Sequence, residues 1–355
     1  MKRTTTLHIH CDSGGQNQVF IRGERAPFSW DRGLAATRHE GNLWSFTWEM
    51  DGEALEFKVL INDREWSVGA NLRVFAGTTK EVFPCFRRQR GRLELIHYFD
   101  TPIIIYLPPS YDQNRQKPYP VLYCHDGQNL FDPATSFKGE IWGIHETVEG
   151  LVAQGMMEEI LIVGIFNRGL ARLHDYTPSF DPAFRGVGAG GGADDYAAMI
   201  IEEIKPYMDR HYRTLADAGN TALMGASLGG LVSLYMARKR PDIFSKVASL
   251  SSSFWWNRRH LIRQVVSSRK KVPISIYLDA GTGDSWRETQ AMYQALLSCG
   301  YEQGRDLHFH LAPRHAHSEQ YWGERVHLPL TFMFPPGSTS YDGALVPVPA
   351  VSEKK

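Results

Sequence analysis

The residues Gly225-Ala226-Ser227-Leu228-Gly229 fit the pattern G-x-S-x-G. The five letters alone are common; their flanks give them weight. An apolar, strand-like run (221–224, TALM) comes directly before them and a helix-forming run (231–240) follows. Acyl-transfer chemistry needs a serine on such a turn. The turn lifts the hydroxyl clear of a sheet edge, and the helix N-terminus sets backbone N–H groups and a partial positive charge beside the reacting atom. Gly225, Gly229 and Gly230 let strand and helix pass close together. A serine capping a helix in a glycine-rich turn would give the same letters, so the partners of Ser227 decide between the two.

Those partners are an acid and then a histidine, each on a loop after a later strand. The run 274–278 (ISIYL) leads into Asp279-Ala280-Gly281-Thr282-Gly283-Asp284. Asp279 ends the strand, whereas Asp284 lies past a glycine-containing loop that can reach outward; Asp284 is favoured and Asp279 is the alternative. The run 307–311 (LHFHL) leads to His315 and His317, with His317 at the start of the last helical segment and His315 deeper in the loop. His308 and His310 form an H-x-H pair with no third ligand group beside it, so no metal is expected. In the resulting mechanism the histidine takes the Ser227 proton as Ser227 attacks an ester carbonyl, the acid orients the histidine, and water cleaves the acyl-enzyme. No cofactor is called for. The oxyanion needs two backbone donors. Leu228 supplies one, and the loop after the early strand 120–124 supplies the other, from Gln128 or its neighbour Gly127.

Two regions must position these groups. Up to about residue 85 the signals are strand-like: 18–22 (QVFIR), 43–50 (LWSFTWEM, with Trp44, Phe46 and Trp48 on one face) and 55–61 (LEFKVLI). Gly14-Gly15, Asp51-Gly52 and Asn62-Asp63 supply turns. After residue 100, apolar runs at 103–107, 121–123, 160–165, 221–224, 247–250, 274–278 and 307–311 alternate with helical candidates at about 141–154, 195–211, 228–240, 258–268 and 286–299. That alternation predicts an α/β-hydrolase-like domain with a mostly parallel sheet covered on both faces. The expected organisation is a β-sandwich over 1–90, the hydrolase domain over 91–335 and a flexible Pro-, Gly- and Ser-rich tail over 336–355. The glycine-rich stretch 185–192 lacks G-K-[ST] and reads as a mobile loop near the substrate entrance.

Lys+Arg and Asp+Glu balance at 39 each, and no charge block stands out, so nucleic acid is not an expected partner. No apolar run approaches the roughly 20 residues that span a bilayer, so neither is a membrane. The first residues lack the apolar core of a secretory signal, and Cys11, Cys85, Cys124 and Cys299 are far apart in the chain. A reduced, cytoplasmic protein is the expectation. The sequence leaves the oligomeric state open.

From about 95 to 334 the chain resembles the bacterial "putative esterase" family, which includes enterochelin, siderophore and feruloyl esterases and mycolyltransferases. The resemblance rests on LYCHDGQNLFD (122–132), NRGLARLHDYTP (167–178), EEIKPYMDRHYRT (202–214), the elbow with its surroundings (224–256), LDAGTGD (278–284) and HSEQYWGERV (317–326). It implies a serine esterase whose acid lies in the GTGD segment, Asp284, and whose base is the histidine of HSEQYW, His317. The substrate it implies is a small-molecule or glycan ester, either an acylated sugar or a siderophore-type ester. Trp255 and Trp256, at the active edge, are candidate substrate contacts. A sugar hydroxyl in place of water would make the same triad an acyltransferase; a chain without a working triad would be a carbohydrate-binding scaffold.

Residues 7–85 resemble, more loosely, a starch-binding β-sandwich module, through Trp30 in FSWD, Trp44, Phe57-Lys58, Trp66, and Asn71 in WSVGANLRV. The resemblance implies that Trp30 and Trp66 stack on sugar faces while Lys58 and Asn71 contact hydroxyls. Ser67 stands where an acidic residue often follows the tryptophan. Sandwiches of this kind also precede esterases without binding glycans, where they help shape the active site.

Overall fold

The computed structural model describes residues 2–337, apart from 12, 14, 41, 68–70, 83, 85, 87–89, 99 and 185–189. The expected tail beyond 337, Gly14, Cys85, part of the WSVGANLRV match and the first five residues of the stretch 185–192 lie outside the described residues.

The N-terminal region is two sheets packed face to face. One has the order Thr37–Arg38, Leu43–Met50, Arg3–His10, Thr79–Val82; the other has the order Leu34–Ala35, Val19–Gly23, Ala54–Ile61, Glu65–Trp66, with Leu72–Phe75 also on Ala54–Ile61. Alternation sends Leu7, Ile9, Trp44, Trp48, Ile21, Phe57 and Val59 into one buried cluster between them. Asn62 and Asp63 both take positive φ and close a tight hairpin, as their types demand. Sequence patterning missed Arg3–His10, a strand paired along its whole length with Leu43–Met50, because its outward positions are threonines and histidines and only Leu7 and Ile9 mark the inward face.

An eight-stranded sheet carries the remainder. Its strands are β1 (Arg92–Tyr98), β2 (Thr101–Leu107), β3 (Val121–His125), β4 (Leu161–Ile165), β5 (Thr221–Ala226), β6 (Lys246–Leu250), β7 (Ser275–Gly281) and β8 (Leu307–Ala312). Their order is β1-β2-β4-β3-β5-β6-β7-β8. The β1–β2 and β2–β4 ladders are antiparallel and every other ladder is parallel. Strands β3, β4 and β5 are buried at every position, as a sheet covered on both faces requires. Successive residues feed two cores: Val121, Tyr123, Val163 and Leu223 face one layer, and Leu122, Cys124, Ile162 and Met224 the other. The first layer contains α2 (Leu228–Lys239), α3 (Trp256–Ser268), α4 (Trp286–Ser298) and the helical run Ala193–Ala198, Met199–Ile204, Lys205–His211; the second contains α1 (Ile144–Ala153), α5 (Glu319–Arg325) and α6 (His327–Met333).

The chain turns back on itself at β3. Strand β4 lies on one side of it and β5 on the other, which opens a crevice at the carboxyl ends of β3 and β5. The N-terminal region is tied to the opposite edge: His10 Nδ1 lies 3.1 Å from Gln116 Oε1, and Asn114 Nδ2 donates to the Pro84 carbonyl at 3.4 Å, both partners belonging to the loop that enters β3. Among the described residues no helix is long and apolar enough to cross a membrane.

Candidate active site

Ser227 joins β5 to α2 with φ 58° and ψ −123°, a conformation essentially foreign to residues with a side chain. Strain of this kind costs on the order of 1–3 kcal/mol, and the surroundings hold it in place. Ser227 N donates to the Leu250 carbonyl and Ser253 N to the Ser227 carbonyl, both at 3.0 Å. A side chain on Gly225 would strike the Gly229 backbone, and one on Gly230 would strike Ser252 Oγ, so the elbow closes only with glycine there. The Ser227 hydroxyl lies 3.3 Å from Ser253 Oγ.

Loops after β7 and β8 are laced together. Thr282 N donates to the Ala312 carbonyl at 2.9 Å, Gly283 N to the His315 carbonyl at 3.0 Å, and Arg314 N to Thr282 Oγ1 at 2.7 Å. This lacing sets His317 Nδ1 2.9 and 3.0 Å from the two Asp284 oxygens. Because an ionised carboxylate only accepts, Nδ1 carries the proton and Nε2 is left to receive one. The Asp284 side chain is 3% exposed and that of His317 42%, so a covered acid backs an open base. Burial pushes the Asp284 carboxyl up, but the hydrogen bonds it accepts, from His317 and from the Ser285 N–H, outweigh it and hold the group below the usual aspartate range. The edge of the Trp322 ring faces the His317 ring at 4.9 Å.

Asp279, the other carboxylate of that segment, is wholly buried. Its Oδ1 accepts from Arg325 Nη2 at 2.9 Å and its Oδ2 from the Tyr277 hydroxyl at 3.3 Å. His315, the other histidine, turns toward α5, with Nδ1 3.4 Å from Arg325 Nη1 and Nε2 3.6 Å from Glu324.

After β3 the chain enters the left-handed region at Asp126 (φ 57°, ψ 47°) and then makes a short 3₁₀ turn, Gly127–Asn129. Gly127 rests on the Gly164 backbone of β4, where a side chain would collide. Gln128 Oε1 accepts from Asn167 N at 3.2 Å. Sequence reasoning missed the clamp on this loop. Arg172 grips Asp126 with two hydrogen bonds of 2.6 and 2.8 Å, Asn167 Nδ2 adds a third of 2.8 Å, and the Tyr176 hydroxyl accepts from Asp126 N at 3.1 Å. Behind it, His125 Nδ1 lies 2.9 Å from the Tyr196 hydroxyl, and burial pushes the imidazole pKa down to about 4, so this ring is neutral. The segments HDGQN and NRGLARLHDYTP contain all of these residues except Tyr196, but nothing in their spacing says that they meet.

Two expectations need correction. Trp256 is no substrate contact: it is 1% exposed, its ring stacks on Phe184 at 4.9 Å and its Nε1 donates to the Ser179 carbonyl. Trp255, by contrast, is 41% exposed. In the N-terminal region Lys58 is only 6% exposed, too covered to offer the open contact expected of it. Trp30 and Trp66 do come together, ring centroids 6.4 Å apart and tilted by 32°, with the Arg22 guanidinium 5.1 Å over Trp66. Asn71 Nδ2 reaches Glu56 at 3.5 Å.

Residues 99–327 match the family described as "Putative esterase". The chain belongs to this family. This chain is by class a carboxylic ester hydrolase. It is 31% identical over 180 residues to the ferri-bacillibactin esterase BesA of Bacillus subtilis, a span of 46% of this chain and 59% of that relative. In fold it resembles a ferulic acid esterase (TM-score 0.54, 20% identity, 69% of this chain and 98% of that one). It also resembles the enterobactin esterase FES of Shigella flexneri (TM-score 0.53, 13% identity), with 92% of each chain covered, so that likeness takes in the N-terminal region as well.

Proposed function

We propose that this esterase works through a Ser227 acyl-enzyme, with His317 as general base and Asp284 as its orienting acid. The observation that carries the reading is the Asp284–His317 pair, 2.9 Å apart on two laced loops, at the same sheet edge as the strained Ser227 elbow. His317 takes the Ser227 proton as the hydroxyl attacks the ester carbonyl, then returns it to the leaving alcohol. Water, deprotonated in turn by His317, frees the acid. The tetrahedral oxyanion is held by the N–H groups of Leu228, at the open N-terminus of α2, and of Gln128, on the clamped loop.

The substrate is an ester with a large apolar or aromatic part, of the siderophore or feruloyl kind. Phe137, Leu170, Phe180 and Trp255 are large apolar side chains left exposed on loops of this edge, and relatives named for ferri-bacillibactin and ferulic acid carry the same chemistry. The test is turnover of p-nitrophenyl acetate, methyl ferulate and a catechol trilactone, together with fluorophosphonate labelling. An adduct on Ser227 and a preference for the aromatic esters are expected; labelling elsewhere would end the reading.

The pairing of Trp30 with Trp66 favours a second, separate role for the N-terminal region as a sugar-binding module. Retention on a malto-oligosaccharide resin, weakened in Trp66→Ala, would support it.

A further inference from the structure

Asp126 opens the loop after β3, and every polar group it has meets a fixed partner. Its backbone lies in the left-handed region (φ 57°, ψ 47°), which a side chain makes costly. Its N–H donates to the Tyr176 hydroxyl at 3.1 Å, and its carbonyl accepts from Asn129 N at 2.9 Å. Its carboxylate accepts from Arg172 Nε at 2.6 Å, Arg172 Nη2 at 2.8 Å and Asn167 Nδ2 at 2.8 Å. Asp126 is buried, so this two-pronged contact is shielded from water and fixes an angle as well as a charge. The side-chain partners of Asp126 all come from one segment, 167–176, which follows β4. That segment is itself braced by Arg168 on Asp175, at 2.6 and 2.9 Å.

Two residues on, Gln128 is tied down everywhere but at one point. Its carbonyl accepts from Thr135 Oγ1 at 2.7 Å and its side-chain oxygen from Asn167 N at 3.2 Å. Among the described residues its backbone N–H has no acceptor. A loop held this closely, with one donor left open, suits a charge that appears only during reaction.

We propose that Asp126 and Arg172 form a positioning pair that aims the Gln128 N–H at the oxyanion; this rests on the reading of Ser227, Asp284 and His317 as the catalytic set. The pair acts in two ways. The Arg172 fork fixes the turn at Asp126, and with it the direction of the N–H two residues later. It also neutralises a carboxylate that would otherwise oppose negative charge growing beside the same loop. The oxyanion exists only in the tetrahedral species, so the pair bears on kcat and leaves KM alone.

The experiment compares wild type with Ser227→Ala, Asp126→Asn, Arg172→Gln, Arg172→Lys and Tyr176→Phe. It measures p-nitrophenyl acetate hydrolysis, thermal unfolding, and inhibition by an aryl trifluoromethyl ketone, whose adduct with a serine carries the oxyanion. Asp126→Asn and Arg172→Gln should each lower kcat by about ten- to a hundredfold, the effect of a shift of about an ångström in a reacting geometry. KM should stay within twofold, and the ketone should bind more weakly by the same factor as kcat. Combined in one chain, the two changes should cost no more than the worse of them alone, because they break one contact. Arg172→Lys keeps the charge and Tyr176→Phe keeps the ring, so both should hold the wild-type unfolding midpoint while kcat falls about three- to tenfold, as for one lost hydrogen bond. If these two variants keep the wild-type kcat and ketone affinity, the pair does not position the donor. The same follows if kcat falls without loss of ketone affinity, or only in step with the folded fraction. Retained turnover in Ser227→Ala would overturn the catalytic set itself, whatever the pair does.

Discussion

The two regions of this chain use their loops differently. In the eight-stranded sheet the parallel ladders put the ends of β3, β5, β6, β7 and β8 at one edge, so residues from 126 to 317 in the sequence converge there. In the N-terminal sandwich most neighbours are antiparallel, and the hairpins leave at both ends. Its aromatic side chains divide between a buried cluster, with Trp44 and Trp48, and the pair of exposed Trp66, on the second sheet, and half-buried Trp30, on the loop beside it. Parallel connection concentrates chemistry, whereas antiparallel connection provides a surface. The sandwich also joins the hydrolase sheet at the edge away from Ser227. Its influence on the chemical step should therefore be small, and variants in the two regions should separate cleanly.

The largest separation is expected from Ser227→Ala. Ester hydrolysis should fall by about 10⁴-fold or more, while sugar retention and unfolding midpoint stay as in wild type. A residual rate within tenfold of wild type, measured with p-nitrophenyl acetate, would break the comparison at its centre.

Within the hydrolase sheet, Asp284→Asn and Asp279→Asn should part company. The first should cost about 10³- to 10⁴-fold in kcat with little change in unfolding, since it spoils the histidine tautomer and leaves packing intact. The second leaves Arg325 buried without its counter-ion and should cost about 3–5 kcal/mol of stability, read from urea unfolding. Acid should act on Asp284 in a definite direction. Its carboxyl is depressed in the folded protein, so its pairing stabilises fully above the ordinary aspartate pKa and is lost only as pH falls through the lowered folded value.

The neighbouring tryptophans give a smaller contrast. Trp256→Ala removes a buried ring and should destabilise by about 3–5 kcal/mol. Trp255→Ala should leave stability nearly unchanged and raise KM for methyl ferulate more than for p-nitrophenyl acetate. Equal effects of the two changes on stability would show that Trp255 is packed and not presented.

The smallest effect is expected in the sandwich. Trp30→Ala and Trp66→Ala should leave p-nitrophenyl acetate turnover within twofold of wild type. If the pair binds sugar, each should weaken retention about fivefold, the worth of roughly 1 kcal/mol per ring contact. A tenfold loss of turnover in either variant would mean that the sandwich reaches the chemistry after all.

The amino-acid sequence by itself determined the elbow at Ser227, because glycine at 225 and 230 and an apolar run before a helical one admit few other local structures. It also determined the change from all-β to α/β, since burial on two faces imposes continuous apolar runs and burial on one imposes alternation. It narrowed the acid to two carboxylates, favouring Asp284 by the reach of its loop, and the histidine to two rings, favouring His317 by its loop position and the family resemblance, but it did not show what holds each of the four in place. Their fates depend on partners distant in the chain. Asp279 is drawn inward by Arg325, 46 residues on, and Asp284 meets His317, 33 residues on, only because the loops after β7 and β8 are hydrogen-bonded to each other. In the same way, Trp255 and Trp256 are identical letters one residue apart, and the tertiary packing of Phe184 and Ser179 decides which of them is buried. Local patterns are written in the spacing of neighbouring residues; pairing and burial belong to residues that only the folded chain brings together.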